Sequence, residues 1–333
     1  MQGKSRWAIG IDLGGTKTLV ARVDGGGKIG RMLRIPTNAA QGAAAVKKGL
    51  IEAIQDILKG SGRLPAGIGV GVAGQVDPES GAVKFSPNLG WHDEPFRKDL
   101  KKALGLPVMV TNDVRAATWG EWLYGAGKGC NDLLCLFVGT GIGGGVVSGG
   151  KVLTGCSNTA GELGHITIDL HGPPCHCGNR GCMEALAGGW AIARQAREKV
   201  KSDPKAGAAI LKRADGRADK ITAKIVAASA KAGDPLALAL LDQVALALSA
   251  GSASLVNAFN PCRVIFGGGV VEGYPRLIKK IARGLKGRAL PPALEPLRVV
   301  RSKLGSQAGV VGSAALVMHF SERIFGEDRK KRG

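Results

Sequence analysis

Apolar positions along this chain keep two periods, one short and one helical, and they alternate. Residues 7–13, WAIGIDL, read as a strand running into the glycine pair Gly14–Gly15. Residues 18–23 lead out again, and the turn Asp24-Gly25-Gly26-Gly27 feeds a third strand at 29–35, so the chain opens as antiparallel β. In residues 43–59, Ala43, Val46, Leu50, Ile54, Ile57 and Leu58 recur at the spacing of one helix face. A short buried strand at 68–72, a helix at 96–104, a strand at 108–111 ending in Asn112-Asp113 and a helix at 114–123 follow.

The device then repeats. The stretch LLCLFVGTGIGGGVVSGGKVL holds two strand-like runs around the glycines of 139–145. Residues 188–258 are mostly helical in pattern, with the charged loop 215–219 as the expected break. A strand at 263–266, a turn at 267–269, a helix at 274–285, a strand at 297–300 and a closing helix at 308–325 complete the chain. Two β-rich beginnings, each with a strand, a glycine turn and a strand, predict an α/β protein of two related lobes with a cleft between them. The expected division is a small lobe of residues 1–115, closed by the C-terminal helix 308–333, and a larger lobe of residues 116–307.

Length agrees with two lobes, since 333 residues exceed the roughly 250–300 at which a single core stops growing. Hydrophobic residues make 44% of the chain but aromatics only 4%, and 53 glycines indicate many tight turns. No window approaches the roughly 18 consecutive apolar residues of a membrane span, and residues 1–7 lack a signal-peptide core, so a cytoplasmic protein with no membrane partner is expected. In that reducing compartment the seven cysteines, an odd number, are not expected to form a disulfide framework. The net charge of +20 is spread over helical segments and a basic tail at 329–332 without interleaved aromatics. That describes solvated helix faces better than a nucleic-acid surface, and a polyanionic substrate is compatible with it.

Chemistry concentrates in a few stretches. Cys175-x-Cys177-x4-Cys182 puts three thiols on one short loop, with His165 ten residues upstream and Gly178 and Gly181 free to fold the backbone around a centre. A structural Zn²⁺ in a Cys3His tetrahedron fits this best; His171 and His176 are alternatives that lie too close to the cysteines to wrap easily. A redox pair would need Cys-x-x-Cys, which is absent. DLGGTK places Asp12 before Gly14, Gly15, Thr16 and Lys17. Its bare backbone N–H groups can cradle phosphate, and its carboxylate can hold hydrated Mg²⁺. Gly139, Thr140, Gly141 and Gly143 repeat the device, and Gly267, Gly268 and Gly269 add a third turn, which together point to a nucleotide cleft. Asp113, at a strand end, can take a proton from a hydroxyl attacking phosphorus or can simply cap a helix. Glu162 and Glu184 can accept hydrogen bonds from a polyol or stand as solvated surface groups, and Asn88 is equally a turn former.

In order along the chain, DLGGTK, GVAGQVD, NLGW, TND, GTGIGGG, AGELGH and CHCGNRGC resemble the motifs of the ROK family (repressor, open reading frame, kinase), and most of all its bacterial glucokinases. The resemblance spans essentially the whole chain, and the His–Cys–Cys–Cys loop is its most specific mark. It implies two ribonuclease-H-like lobes, as in sugar kinases, actin and Hsp70, closing over ATP. It further implies Asp113 as general base toward a hexose, with Asn88, Asn112, Glu162, His165 and Glu184 on the other hydroxyls. Zinc on His165, Cys175, Cys177 and Cys182 would hold the sugar pocket still. Glucose is the first expectation, then mannose, an N-acetylhexosamine or fructose, with ATP or polyphosphate as donor and a homodimer or homotetramer as assembly. The family's sugar-sensing repressors carry a helix-turn-helix ahead of the first glycine-rich strand, and with six residues before Trp7 the kinase rather than the repressor is expected.

Overall fold

A computed structural model describes residues 6–330, and beyond His319 only the backbone of the last helix. Most of the segment read for a signal peptide, and the end of the basic tail, lie outside the described residues. In chain order the first elements are β1 (Trp7–Leu13), β2 (Lys17–Asp24), β3 (Ile29–Pro36), α1 (Gly42–Leu58), β4 (Ile68–Val72), β5 (Gln75–Val76), β6 (Val83–Ser86), β7 (Trp91–Glu94), α2 (Phe96–Leu104), β8 (Val108–Asn112) and α3 (Asp113–Leu123). There follow β9 (Leu133–Val138), β10 (Ile142–Ser148), β11 (Lys151–Val152), α4 (Met183–Ala187), α5 (Gly189–Ser202), α6 (Ala208–Arg213), α7 (Ala223–Lys231) and α8 (Pro235–Phe259). The chain closes with β12 (Arg263–Gly267), α9 (Gly269–Gly273), α10 (Arg276–Leu285), α11 (Pro291–Leu294), β13 (Arg298–Arg301) and α12 (Ala308–Lys330).

The chain divides into two compact units. The first comprises 1–129, 154–160 and 306–333; the second comprises 130–153 and 161–305. Helix α3 therefore belongs to the first unit, which runs past residue 115, and α12 completes it.

In the first unit a five-stranded sheet has the order β3-β2-β1-β4-β8, antiparallel through β1 and parallel from β1 to β8. Ile9, Ile11, Leu13, Ile68 and Val70 are fully buried and pack with Val46, Leu50 and Ile54 of α1. On the other face α12 comes down directly onto backbone. A Cβ at Gly10 would strike the Val310 carbonyl, and one at Gly69 the Ser313 carbonyl. Glycine in a strand sacrifices stability, and here it allows a helix to lie against the sheet with no side chain between. A small sheet of β5, β6 and β7, not anticipated from the pattern, stands beside it. Its strands are two to four residues long and partly exposed, too short to show a period.

The second unit repeats the topology, with order β11-β10-β9-β12-β13 and the same change from antiparallel to parallel pairing at β9. Its core gathers Leu134, Leu136, Val264 and Phe266 of the sheet with Leu241, Val244, Leu248 and Val256 of α8. Among the described residues α8 alone has the length and apolar composition to cross a membrane, with mean hydropathy 1.6 over its best window. Its buried stripe and its exposed Asp242 and Gln243 mark it as a core helix. The helical stretch breaks more often than expected, at 203–207 and 232–234 as well as around Asp215. One disulfide, Cys130–Cys262 with Cα atoms 6.9 Å apart, is formed where no disulfide framework was expected, and the other five cysteines are not disulfide-bonded. Both cysteines stand just ahead of parallel neighbours β9 and β12, where the Cys262 N–H donates to the Asp132 carbonyl at 3.0 Å, a juxtaposition that composition could not reveal.

Candidate active site

Within the first unit the DLGGTK turn links β1 to β2. The Gly14 N–H donates to the Lys17 carbonyl at 3.2 Å, and the Thr37 hydroxyl donates to the Gly14 carbonyl at 2.7 Å. Thr37 is buried and also meets Thr18 Oγ1 at 2.8 Å, so a residue that the sequence reading passed over pins the turn. Asn88, exposed in the turn after β6, backs onto it: a Cβ at Gly15 would lie 3.0 Å from the Asn88 Cβ.

Asp12 stands near the end of β1 with its carboxyl group against the start of α12, where a Cβ at Gly309 would lie 2.8 Å from Cγ. Burial, reinforced by the charge of Asp113 and opposed by Lys17, pushes its pKa from 3.8 up to about 6. A buried carboxylate under that strain is a good seat for a cation. Asn112 is the cap of α3: its Oδ1 accepts from the N–H of Val114 at 3.0 Å and of Arg115 at 3.1 Å, and its amide donates to the Gly74 carbonyl at 3.2 Å. Capping, offered as one role for Asp113, thus falls to its neighbour. Asp113 is the first residue of α3, half-buried at the strand's C-terminal end, with Oδ1 accepting from the Val114 N–H at 2.9 Å.

Also in this unit, the buried Arg115 clamps the segment 154–160. Its guanidinium donates to Asn158 Oδ1 at 2.6 Å and to the Asn158 carbonyl at 2.9 Å, and the Asn158 amide donates to the Val76 carbonyl at 2.7 Å. The sequence carried no local signal for this clamp.

In the second unit the Cys/His loop is built as a small knuckle. The Cys175 N–H donates to the Asn179 carbonyl at 2.8 Å and the Gly178 N–H to the Cys175 carbonyl at 3.1 Å, with Gly178 and Gly181 at positive φ. His165, Cys175, Cys177 and Cys182 present ligand atoms that all lie within 4.8 Å of one another. His165 Nδ1 is 3.7 Å from Cys175 Sγ, and Cys177 Sγ is 3.7 Å from Cys182 Sγ. A tetrahedral ion with arms of about 2.3 Å has ligand-to-ligand edges of about 3.8 Å, so the four donors fit Zn²⁺. Burial pushes the Cys182 thiol up to about 12, whereas backbone N–H donation from Asn179 draws Cys177 down. His171 and His176 do not join the group; the His176 ring stacks on Trp190 at 4.2 Å.

Glu162 is exposed and opens the short turn Leu163–His165, which lies backbone to backbone on β10 because Gly164 leaves room for the Ile142 carbonyl. Glu184, in the first turn of α4, has definite partners: Oε2 accepts from the Ile142 N–H at 2.7 Å and Oε1 from the Trp190 indole at 3.2 Å. It thus braces the second glycine turn.

Beside that turn lies a pocket of about 750 Å³, lined among others by Gly139, Thr140, Trp190, Arg197, Thr222, Lys224, Gly269 and Glu272. Of the glycines singled out in the sequence, Gly139 and Gly269 reach this lining. Gly141 lies against Glu184 instead, and Gly267 and Gly268 pack on Phe137 and Val138 of β9. Trp190, Arg197, Thr222, Lys224 and Glu272 were not foreseen, since they converge from three helical regions.

A family model described as the ROK family matches residues 8–319. The chain belongs to the ROK family. A glucokinase of Halalkalibacterium halodurans is 37% identical over 316 residues, covering 94% of this chain and 95% of that protein. A Thermotoga maritima glucokinase is 37% identical over 319 residues, covering 96% and 98%. Among solved structures, a ROK family glucokinase from Streptomyces griseus in complex with glucose and AMPPNP is similar with a TM-score of 0.81 at 35% identity, covering 93% of this chain and 98% of that one. The fold is accordingly that of the sugar-kinase, actin and Hsp70 class.

Proposed function

We propose that this ROK protein is an ATP-dependent glucose kinase that phosphorylates the 6-hydroxyl with Asp113 as general base. The observation that carries the reading is the placement of Asp113: a half-buried carboxylate at the C-terminal end of a parallel strand, held by a helix whose cap is supplied by a different side chain. Asp113 takes the proton as the 6-oxygen forms its bond to the γ-phosphorus, the bond from that phosphorus to the β,γ-bridging oxygen breaks, and ADP leaves with the electron pair.

The remaining hydroxyls fall to Asn88, Asn112, Glu162, His165 and Glu184. Nδ1 of His165 is committed to the cysteine group, leaving Nε2 for sugar, and Glu184 retains lone pairs beyond its two bonds. The phosphates are assigned to the glycine-rich turns 14–17 and 139–143 and the adenosine to the pocket beside Gly139 and Gly269. Asp12 would hold hydrated Mg²⁺, which neutralises charge on the transferring phosphoryl group. His165, Cys175, Cys177 and Cys182 would hold Zn²⁺ as a structural ion that orients the imidazole. Inorganic polyphosphate is proposed as a second donor, on the strength of the positive charge.

Incubation with Mg-ATP and a panel of hexoses, read by mass spectrometry, tests the reading. Glucose 6-phosphate is expected, and Asp113→Asn is expected to lower kcat by about 10²–10⁴-fold while leaving glucose binding in place. Phosphorylation of a different hexose would move the substrate; sugar binding with no phosphorylation would move the protein to the sensor class.

A further inference from the structure

Trp190 occupies a junction that the kinase reading leaves unexplained. It follows the glycine pair at the start of α5, and its ring packs against Cys175, Cys182 and Ala185 of the cysteine loop and α4. The His176 imidazole stacks on it, centroids 4.2 Å apart and planes inclined by 25°. Its main-chain N–H donates to the Thr140 carbonyl at 2.9 Å and its indole N–H to Glu184 Oε1 at 3.2 Å, while the other oxygen of Glu184 takes the Ile142 N–H at 2.7 Å. The same side chain lines the 750 Å³ pocket. One residue therefore touches the cysteine loop, the carboxylate that holds the Gly139–Ile142 turn, and the space beside that turn.

We propose that Trp190 is a positioning residue for nucleotide binding: it couples the cysteine loop to the Gly139–Ile142 turn by holding Glu184 in the rotamer that fixes the Ile142 N–H. The inference rests on the assignment of that turn to the donor phosphates. A glycine-rich turn is free to rotate its peptide planes, and each plane that swings away removes a donor from an incoming phosphate. Glu184 ties down one plane, the Trp190 main chain ties down the next, and the stack of His176 on the indole limits where the ring can go. Preorganisation of this kind appears as affinity, because the ordering is done before the ligand arrives.

Two variants of the full chain separate the cases. Trp190→Phe keeps a ring for His176 and removes the indole N–H; Trp190→Ala removes both. With Mg²⁺ and AMPPNP in calorimetry, Trp190→Phe is expected to weaken Kd by about three- to tenfold and Trp190→Ala by more. KM for ATP should rise in parallel while the Trp190→Phe melting point stays near wild type. AMPPNP binding within about twofold of wild type in both variants would overturn the proposal, as would a Trp190→Phe melting point that falls together with its affinity, which marks general loosening. A wild-type protein that binds no AMPPNP would instead sink the phosphate assignment itself, and this inference with it.

Discussion

Asp12 pays for its place at the end of β1. With its pKa raised from 3.8 to about 6, the folded chain holds the proton more tightly than the unfolded chain does. The stability this group provides is complete below about pH 3.8 and is lost as pH rises through about 6, leaving a penalty of about 3 kcal/mol at neutral pH. Asp12→Asn should therefore stabilise the ligand-free protein at pH 7.5 by up to that amount, with the difference from wild type gone by about pH 4, while Mg-nucleotide binding is lost. Thermal melts across that range, with and without Mg-AMPPNP, check it; equal melting of the two proteins at pH 7.5 would refute it. At this scale the clustering of His165, Cys175, Cys177 and Cys182 was legible in the sequence because the four lie close together along the chain. Thr37, Arg115 and Trp190 were not, since each acts on a partner that only the fold brings close, and a lone threonine, arginine or tryptophan carries no local mark.

Elements were legible where a period had room to show itself. Helix α1 was expected at 43–59 and runs over Gly42–Leu58, and the strands that frame the first glycine turn fell within a residue of their expected limits, whereas β10 takes in Gly143, Gly144 and Gly145. The strands β5 to β7 were missed for want of length. Glycines in β1 and β4 are the bed of α12. This gives a matched pair of substitutions with opposite signs. Gly69→Ala drives a methyl into the Ser313 carbonyl and should destabilise by about 1–3 kcal/mol or more. Gly49→Ala, within α1 and with nothing within 4 Å of the new atom, should stabilise by about 0.5–1 kcal/mol. Urea denaturation of both variants reads the difference, and equal midpoints would mean that α12 does not rest on β4 as described.

For the molecule as a whole, the net charge of +20 is the property least explained by the fold. Ion pairs such as Lys47 with Glu94 and Asp99 use only part of it. If the excess serves a polyanionic donor, glucose phosphorylation from polyphosphate should occur at low salt and fall steeply between about 0.05 and 0.5 M salt as the screening length shortens, while the rate with ATP changes less. Absence of polyphosphate-driven product at low salt would remove that donor. The duplication into two related units was readable from two glycine turns in matching contexts, whereas the strand order and the assignment of α3 to the first unit were not, because helical periodicity does not say which sheet a helix will cover.

Helix α12 lies last in the chain yet covers strands near its beginning. During synthesis the strands β1 and β4 emerge early and must wait, with the groove over Gly10 and Gly69 open, until residues past 306 have left the ribosome. The second unit has no such debt, for every residue it contains has by then been made. The second unit is therefore complete in sequence before the first, and the earlier-encoded body can close over its glycines only after the later-encoded one has been made.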